Sequence, residues 1–305
     1  MRIWTDADAA GLRLPQAIDS LERVLTHEAD GTAWNLDKTM ASWPAGAGRG
    51  SAHALGAVDR DSDLAVFKAW VNTPSGAGAL MTIFSATDGT LLGAAEAGAA
   101  GALRTAAVSG LATRWLADPA ADELAILGAG RQALRQVEAV AAVRPVRRVR
   151  VWNRTAVKAA ELAGQVREHL GLDAVAVRSV AEATAGTPIV TLITRAAEPF
   201  LCPEHLAPGA HLNAVGAILP SHAEFHHELL DKADLTVVDS ESNARRGSRE
   251  LREHYGDDWS PVRTLAEVVT GKATRPDRPF RTVFKGMGMG LSDLAVARLL
   301  TGGTP

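Results

Sequence analysis

The sequence predicts an α/β protein with two domains: a parallel sheet covered by helices on both faces in the carboxy-terminal part, and an α+β domain at the amino terminus. Three observations carry this prediction. A glycine-rich turn joins an apolar run to a helical pattern at residues 123–143, and short apolar runs alternate with helical stretches after it. Before residue 95 the apolar runs are instead separated by Gly, Pro and Asp, which is typical of an antiparallel sheet.

The amino-terminal domain begins with a short strand at residues 2–4 and an amphipathic helix at residues 14–25. Five strands follow, with a hairpin turn at Thr87-Asp88-Gly89, and they are predicted at residues 39–43, 51–58, 64–71, 79–85 and 91–95. The three tryptophans of this region, Trp34, Trp43 and Trp70, are expected in the core rather than in a pocket.

Lys68 interrupts a strand that is otherwise apolar on both faces. Period-two alternation places its side chain on the same face as Val66 and Trp70. Such a lysine either extends its amine to solvent from an edge strand, pairs with an anion, or is reactive. The sequence leaves these alternatives open.

Arg104 lies in a Gly- and Ala-rich segment, residues 98–107, which we predict as a loop leading into an apolar helix at residues 108–116. A guanidinium in such surroundings needs an anionic partner, because burying an unpaired charge is costly. The partner is either a protein carboxylate or a bound carboxylate held by the planar guanidinium. Glu96 is the one acid nearby in sequence, which favours the ligand modestly.

The glycine-rich turn has the spacing G-x-G-x-x-A at Gly128, Gly130 and Ala133. This spacing suits a tight turn, close approach of backbone to a pyrophosphate, and close packing of a helix on a strand. The anion would bind the free N–H groups at the helix start. The alternative is a Gly/Ala-rich joint with no ligand, since Gly makes up 28 of 305 residues. The apolar strand before the turn and the amphipathic helix after it favour a Rossmann-type dinucleotide site.

The remaining chain continues the alternation of a doubly wound sheet. Strands are predicted at residues 147–152, 174–178, 189–193, 211–215 and 235–238, and helices at residues 157–170, 180–185 and 224–232. A glycine turn, a capping Ser292 or Asp293 and a closing helix end the chain, and we expect this helix to return to the first domain. The predicted domains are residues 1–117 with 291–305, and residues 118–290.

The residues at the end of the predicted strand 147–152 indicate whether the cofactor carries a 2′-phosphate. A site for a ribose 2′-hydroxyl places an acid about 20 residues beyond the glycines. This chain has Asn153, Arg154 and Thr155 instead, which offer donors and a positive charge to a 2′-phosphate. NADP(H) is therefore favoured over NAD(H), unless Arg154 merely faces solvent.

Composition excludes several classes of protein. Cys202 is the single cysteine, so no disulfide forms within the chain, and we expect it to be a small apolar residue in a reducing compartment. The net charge of -3 gives no reason to expect nucleic acid or a membrane as partner, and no apolar run reaches the roughly 18 residues of a membrane span. A soluble cytoplasmic protein is expected. The arginines of residues 144–150 are expected at the surface, as are histidines 222, 226 and 227 with Glu224 and Glu228, whose spacing matches no zinc pattern.

Several segments, in this order along nearly the whole chain, resemble the ornithine cyclodeaminase and mu-crystallin family. They are Phe67-Lys68, LRTAAVS at residues 103–109, LGAGRQA at 127–133, VRVWNRT at 149–155, NAVGA at 213–217 and G-x-G-x-x-D at 288–293. The resemblance implies a homodimer, with an amino-terminal domain that supplies dimer contacts and most of the substrate site beside a nicotinamide-nucleotide domain. It also implies reactions of amino acids and their imines.

Carried over by position, Lys68 matches the family's active-site lysine, Arg104 its substrate-carboxylate arginine, and Lys38 stands where a second carboxylate-binding arginine is usual. The implied cofactor residues are Thr105, Gly128, Gly130, Arg131, Gln132, Asn153, Arg154, Thr155, Val215, Gly216 and Gly288. Two acids of the cyclodeaminases are missing: Ile218 replaces an aspartate, and His53 is the only ionisable residue where a glutamate is expected, in residues 52–58.

The function predicted from these residues is NAD(P)H-dependent reduction of a small imino acid, either a cyclic ketimine or a linear imine of a 2-oxo acid. Arg104 would bind the carboxylate, and Lys68 would hold the carboxylate or donate a proton near the imine nitrogen. An amino-acid dehydrogenase or a cyclodeaminase is the alternative among enzymes. A non-catalytic NADP-dependent binder of small ligands is the alternative of another class, although the presence of both Lys68 and Arg104 argues against it.

Overall fold

The computed structural model describes residues 2–303. Its residues form two compact units: unit 1 runs to Ala107 and resumes at Met289, and unit 2 is Val108–Gly288. In chain order the helices and strands are β1 (Arg2–Trp4), α1 (Asp6–Ala10), α2 (Leu14–Ala29), β2 (Ala33–Ala45), β3 (Gly48–Asp59), β4 (Leu64–Thr73), β5 (Gly76–Phe84), β6 (Leu91–Glu96), α3 (Gly98–Leu116), β7 (Glu123–Leu127), α4 (Ala133–Ala141), β8 (Arg148–Trp152), α5 (Ala156–Leu170), β9 (Asp173–Ala176), α6 (Val180–Thr184), β10 (Ile189–Leu192), β11 (Ala210–Ala214), β12 (Leu235–Val238), α7 (Glu241–Gly247), α8 (Arg249–Tyr255), β13 (Val262–Thr264), α9 (Leu265–Val269), β14 (Arg281–Lys285) and α10 (Gly290–Leu300).

Unit 1 is built on a six-stranded sheet in the order β1-β6-β5-β4-β3-β2. Strands β2 to β6 form the predicted antiparallel meander, and β1 joins it in parallel beside β6. The pairing of β2 with β3 shifts between Leu36 and Thr39, so Asp37 and Lys38 lie in an irregular stretch of β2. Strand β4, which carries Lys68, is in the interior of the sheet.

Two helices cover one face of this sheet. Helix α2 buries an apolar stripe against it, and α10 is buried along almost its whole length. Gly290 starts α10 so close to β3 that a Cβ there would lie 1.9 Å from the backbone oxygen of Gly56. The backbone N–H of Leu291 donates to Asn35 Oδ1 at 3.0 Å, and Ser20 Oγ donates to the backbone oxygen of Ala295 at 2.9 Å. The closing helix therefore completes unit 1, as predicted.

Helix α3 begins at Gly98 rather than near Val108, so the predicted loop at residues 98–107 is wrong. The segment is rich in Ala, which favours helix, and its start is capped from a distant part of the chain. Asp6 Oδ1 accepts from the backbone N–H of Ala99 at 2.7 Å. Arg104 is therefore held on a helix and not on a loop.

Unit 2 is a doubly wound parallel sheet of eight strands in the order β13-β12-β14-β11-β10-β7-β8-β9. The chain winds from β7 outward through β8 and β9, then crosses back to β10 and continues through β11 on the other side. The predicted fold class is confirmed.

Strand β14 was not predicted. It is entirely buried, but the charged residues Arg281 and Lys285 at its two ends are not typical of a buried strand. The predicted helix at residues 224–232 is wrong: only His227–Lys232 forms a 3₁₀ turn, since Glu224 is held by neighbouring loops.

No helix among residues 2–303 is both long and apolar enough to cross a membrane.

Candidate active site

A buried lysine–aspartate pair is the centre of the candidate site in unit 1. Alternation along β4 turns Lys68 to the face shared with Val66 and Trp70, and Lys68 is 5% exposed. Its Nζ donates to both carboxylate oxygens of Asp293, at 2.7 and 2.6 Å. Of the three alternatives for Lys68, pairing with an anion is therefore observed. The alternative in which Lys68 extends its amine to solvent from an edge strand is wrong, because β4 is an interior strand.

Asp293 lies in the first turn of α10, where a carboxylate is favourable beside the free N–H groups of the helix start. It does not cap the helix. The N-cap residue is Met289, which makes no side-chain cap, and Ser292 Oγ donates to the backbone oxygen of Met289 at 2.7 Å. The predicted capping role of Ser292 or Asp293 is therefore wrong, because the aspartate is committed to Lys68.

Arg104 reaches the same carboxylate from α3. Its Nε lies 3.5 Å from Asp293 Oδ1, and its side chain is 19% exposed. This Nε is buried and makes no hydrogen bond with any of the described residues. Glu96, the acid nearest in sequence, accepts instead from the backbone N–H of Asp6. The anionic partner of Arg104 in this structure is thus a protein carboxylate, that of Asp293. The interaction is an ion pair without a hydrogen bond from Nε.

The charges of this cluster perturb the lysine. The pKa of Lys68 is lowered to about 8, chiefly by burial, then by the positive charge of Arg104 and, to a smaller extent, by that of Lys38. Asp293 opposes the shift through its charge and its hydrogen bonds. The Lys68 ammonium is therefore mostly charged at neutral pH, yet it releases a proton far more readily than an exposed lysine does.

Trp70 forms one wall of the cluster. The Nζ atoms of Lys68 and Lys38 lie 5.1 and 5.5 Å from the centroid of its ring, within cation–π range. His53 stacks on the same indole, with ring centroids 4.7 Å apart and planes 6° apart, and its Nε2 lies 3.0 Å from Ser51 Oγ. Burial, with a further effect of the charge of Lys38, lowers the pKa of His53, which favours the neutral ring. The sequence places Trp70 in the core and does not predict its contacts with Lys68, Lys38 and His53.

The glycine turn of unit 2 has the geometry that a pyrophosphate requires. Gly128 has a φ of +120°, and a Cβ there would lie 2.6 Å from the backbone oxygen of Ile193. A Cβ at Gly130 would meet no atom within 4 Å, so a ligand has room to approach this backbone. Ala133 begins α4 and is fully buried. The residues present therefore fit a dinucleotide better than a ligand-free joint, which would not need the open space at Gly130.

The ends of β7 and β8 bring the predicted adenosine-side residues together. Asn153 Oδ1 accepts from the backbone N–H of Ala129 at 3.2 Å, and its Nδ2 donates to the backbone oxygen of Thr155 at 3.0 Å. Arg131 and Arg154 are exposed, and neither makes an ion pair with the described residues. Arg131 and Arg154 thus follow the ends of two neighbouring strands, β7 and β8.

The other predicted cofactor residues lie on three separate segments. Val215 and Gly216 follow β11, and Gly288 follows β14 with a φ of +88°. The carboxylate of Asp239 accepts from the backbone N–H groups of Met287 and Gly288 at 2.8 and 2.7 Å. Thr105 belongs to unit 1, where its Oγ1 donates to the backbone oxygen of Gly101 at 2.8 Å.

Several surface predictions are corrected. Arg144 is 9% exposed, because its guanidinium donates to the backbone oxygens of Arg114 and Ala117 at the end of α3. Glu224 is fully buried. Trp34 and Trp43 are not core residues, being 47% and 36% exposed.

Two further predictions concern metal binding and thiol chemistry. No cluster of three or more potential metal ligands occurs within residues 2–303. Cys202 is partly buried, and burial raises the pKa of its thiol, which suits an unreactive residue.

Together the fold and these sites define a class: two-unit α/β proteins in which a dinucleotide-type parallel sheet accompanies a sheet bearing a buried lysine. The model of the ornithine cyclodeaminase/mu-crystallin family matches residues 11–302. The chain belongs to this family, as its motifs predicted.

Three similar proteins illustrate the family. The ketimine reductase mu-crystallin of Rattus norvegicus is 38% identical over 223 residues, which are 73% of this chain and 68% of that protein. The Δ1-pyrroline-2-carboxylate reductase of Thermococcus litoralis, solved with NADH and L-proline, is 26% identical with a TM-score of 0.91, covering 98% of this chain and 96% of that one. An archaeal alanine dehydrogenase dimer with bound NAD is 25% identical with a TM-score of 0.89, covering 98% and 94%.

Proposed function

We propose that the protein is an NAD(P)H-dependent reductase of a small imino acid, which it converts to an amino acid. The observation that carries the proposal is the cluster of Lys68, Asp293 and Arg104, which combines an acidic ammonium with a guanidinium suited to a carboxylate. The reactions named for the ketimine reductase and the pyrroline-2-carboxylate reductase confirm the predicted class, an oxidoreductase acting on a C–N bond.

Arg104 and Lys38 hold the substrate carboxylate. A carboxylate entering beside Arg104 meets a guanidinium whose Nε has no hydrogen-bond partner among residues 2–303, so binding does not break an existing hydrogen bond. Lys38 adds a second positive charge, with its Nζ 5.5 Å from the centroid of the Trp70 ring. Fixing a reactant in one productive orientation can contribute up to roughly 7 to 11 kcal/mol to lowering a barrier.

Lys68 supplies the proton. Reduction of C=N adds a hydride at carbon, which the nicotinamide cofactor supplies when bound, and a proton at nitrogen. The ammonium of Lys68, with a pKa of about 8, is protonated at neutral pH and acidic enough to donate that proton. Asp293 orients Nζ by accepting two of its hydrogens, and the neutral amine then takes a proton from water.

The archaeal alanine dehydrogenase supports a second candidate, oxidation of an amino acid by the same groups in the opposite direction. There the neutral amine of Lys68 would accept the proton. Cyclodeamination is less favoured, because Ile218 and His53 stand where acids of that reaction are expected.

A nicotinamide cofactor accompanies this function, since both similar structures described above contain NADH or NAD. For this chain we propose NADP(H). Arg131 and Arg154 follow β7 and β8, are exposed and make no ion pair among residues 2–303, and Asn153 carries no charge that would repel a 2′-phosphate. The domain limits at residues 117/118 and 290/291 remain a prediction.

We also propose a homodimer, formed by the sheet face of unit 1 opposite Lys68. Strand alternation and register place a set of apolar, exposed side chains on this face, between 39% and 48% exposed: Trp34, Leu36, Phe67, Val71 and Leu80. A contiguous apolar surface of this kind marks an association site. The similar alanine dehydrogenase is described as a dimer. Val71→Asp should convert a dimer to a monomer in light scattering, whereas Arg60→Asp, on an exposed turn, should not.

The test of the function is a panel of cyclic ketimines and of 2-oxo acids mixed with amines, offered to the purified protein with NADPH or NADH. We expect oxidation of NADPH with at least one imino acid, and loss of that activity in Arg104→Leu. Tight cofactor binding without turnover of any imine or amino acid would instead favour the non-catalytic binder.

A further inference from the structure

Glu224 is the most completely enclosed carboxylate in unit 2 that the proposed reaction does not use. It is 0% exposed, although its sequence neighbourhood is rich in His and Glu. Oε1 accepts from the backbone N–H and the hydroxyl of Thr194, at 2.6 and 2.8 Å. Oε2 accepts from the backbone N–H groups of Gly216 and Ala217, at 2.9 and 3.0 Å. The carboxylate therefore links the loop after β10 to the loop after β11.

The backbone of Glu224 is fixed as well. Its N–H donates to Glu250 Oε1 at 3.0 Å, and its carbonyl oxygen accepts from the N–H groups of Phe200 and Leu201, both at 3.1 Å. Glu250 is itself paired with Lys285 at 3.0 Å, with both side chains fully buried. Because its own main chain is anchored on two sides, Glu224 determines where the two loops lie.

One of these loops packs directly on the glycine turn. A Cβ at Gly128 would lie 3.0 Å from Thr194 Cγ2 and 2.6 Å from the oxygen of Ile193. Gly216 is equally close to the same loop, since a Cβ there would lie 2.1 Å from the oxygen of Thr194. A displacement of Thr194 would therefore be transmitted to both glycines.

The position of these loops in the sheet indicates which half of a cofactor they serve. In doubly wound sheets the dinucleotide lies across the carboxyl ends of the strands at the point where the winding reverses, with one mononucleotide on each side. Here the reversal falls between β7 and β10. The adenosine-side residues follow β7 and β8, so the ends of β10 and β11 belong to the nicotinamide half.

We infer that Glu224 is a positioning residue for the nicotinamide half of the cofactor site, acting through Thr194 and the Gly216–Ala217 backbone. The inference rests on the cofactor part of the proposed function and not on the imine substrate. Glu224→Gln would retain the shape but place an NH₂ group where two donors already point, so one of the loops must move.

The experiment is a binding titration that separates the two halves of the cofactor. Whole cofactors, NADPH and NADH, are compared with the adenosine-side fragments 2′,5′-ADP and ADP, on the unmodified protein and on Glu224→Gln. We expect the Kd of the tighter-binding whole cofactor to rise by about tenfold, which is 1.4 kcal/mol, and the Kd of its fragment to change by less than about twofold. The melting temperature of each protein without cofactor is measured alongside.

Asp59 provides a matched control. It is another fully buried carboxylate, in unit 1, where it accepts from the backbone of Asp61 and Ser62, from Ser62 Oγ and from His27. Asp59→Asn should lower the melting temperature and leave both Kd values unchanged. Thr194→Val removes one hydrogen-bond donor to Glu224 and keeps the shape of the side chain. It should raise the Kd of the whole cofactor more than that of the fragment, by a smaller factor than Glu224→Gln does. It replaces Glu224→Gln in the experiment if that variant does not fold.

An unchanged Kd for the whole cofactor in Glu224→Gln or Thr194→Val overturns the inference. An equal rise for fragment and whole cofactor also overturns it, because Glu224 would then support the sheet in general. Failure of the unmodified protein to bind either whole cofactor would refute the proposed function as well. Since no turnover is measured, a wrong choice of imine substrate does not affect the result.

Discussion

Replacing Lys68 with Met separates the chemistry of its amine from its pairing with Asp293. The two side chains are 6% and 3% exposed, and Nζ lies 2.6 Å from Oδ2. Removing one partner of a buried pair costs about 3 to 5 kcal/mol, because the remaining charge is left uncompensated. Arg104, at 3.5 Å, offsets part of this, so we expect a loss of about 3 kcal/mol in the free energy of unfolding. Because domains of this kind are stable by about 5 to 15 kcal/mol, Lys68→Met should remain folded.

Adding Asp293→Asn removes the carboxylate that Lys68→Met leaves paired with Arg104, at 3.5 Å. Replacing both members of a buried ion pair by neutral residues is often without net cost, but here Arg104 also loses its carboxylate, so the double variant should regain only part of the lost stability. It should regain none of the turnover, because no proton donor has been restored. Urea unfolding gives the stability, and oxidation of reduced cofactor with a substrate from the imine panel gives the turnover.

The two measurements exclude different errors. If Lys68→Met keeps its turnover, Lys68 is not the proton donor and its amine serves only to neutralise Asp293. If the double variant recovers turnover together with stability, the loss in the single variant came from the uncompensated aspartate.

The other predictions concern the carboxylate, the cofactor, the helix that carries Asp293, and pH. Arg104→Leu should raise KM and lower kcat/KM by about 2 to 5 kcal/mol in transition-state terms, with cofactor Kd unchanged; an equal loss of cofactor binding would contradict the assignment. Asn153→Asp with Arg154→Ala should remove about 1.5 to 3 kcal/mol of preference for NADPH in titrations, and an unmodified protein that binds NADH equally well would contradict the premise. Gly290→Ala should lower both melting temperature and turnover, because its Cβ would lie 1.9 Å from a backbone oxygen of β3; a fully active, equally stable variant would show that α10 can shift without harm. The kcat/KM for imine reduction should fall as pH rises through about 8, where Lys68 loses its proton, and a flat profile would argue against an acid there.

The parts of the molecule that follow local patterns were predictable. Alternation along residues 64–71 placed Lys68 on its correct face, and the spacing of Gly128, Gly130 and Ala133 predicted the turn between β7 and α4. In each case the signal lies within one strand and its immediate neighbours, which is the range over which sequence periodicity carries information.

The parts that depend on distant partners were not predictable. Lys68 and Asp293 are separated by 225 positions, so the sequence indicated the need for an anion but not which one. The residues around Glu224 in sequence are polar, which predicts an exposed position. The side chain is buried because backbone N–H groups of two other loops donate to its carboxylate. Strand β14 was not predictable for the same reason, since the buried Lys285 is paired with Glu250, which lies on another element of the fold.

The charges around Lys68 also determine how the site responds to its substrate. In the free protein, burial lowers the pKa of Lys68, and Arg104 and Lys38 add to the effect. A substrate carboxylate bound to those two cations offsets their charge, so it removes two of the causes and raises the pKa of Lys68. The profile of kcat/KM reports the free enzyme, and that of kcat reports the complex. The descending limb for kcat should therefore lie at higher pH than the limb near 8 for kcat/KM. Coincident limbs would mean that the substrate carboxylate binds away from Arg104 and Lys38, even if Lys68 is the acid.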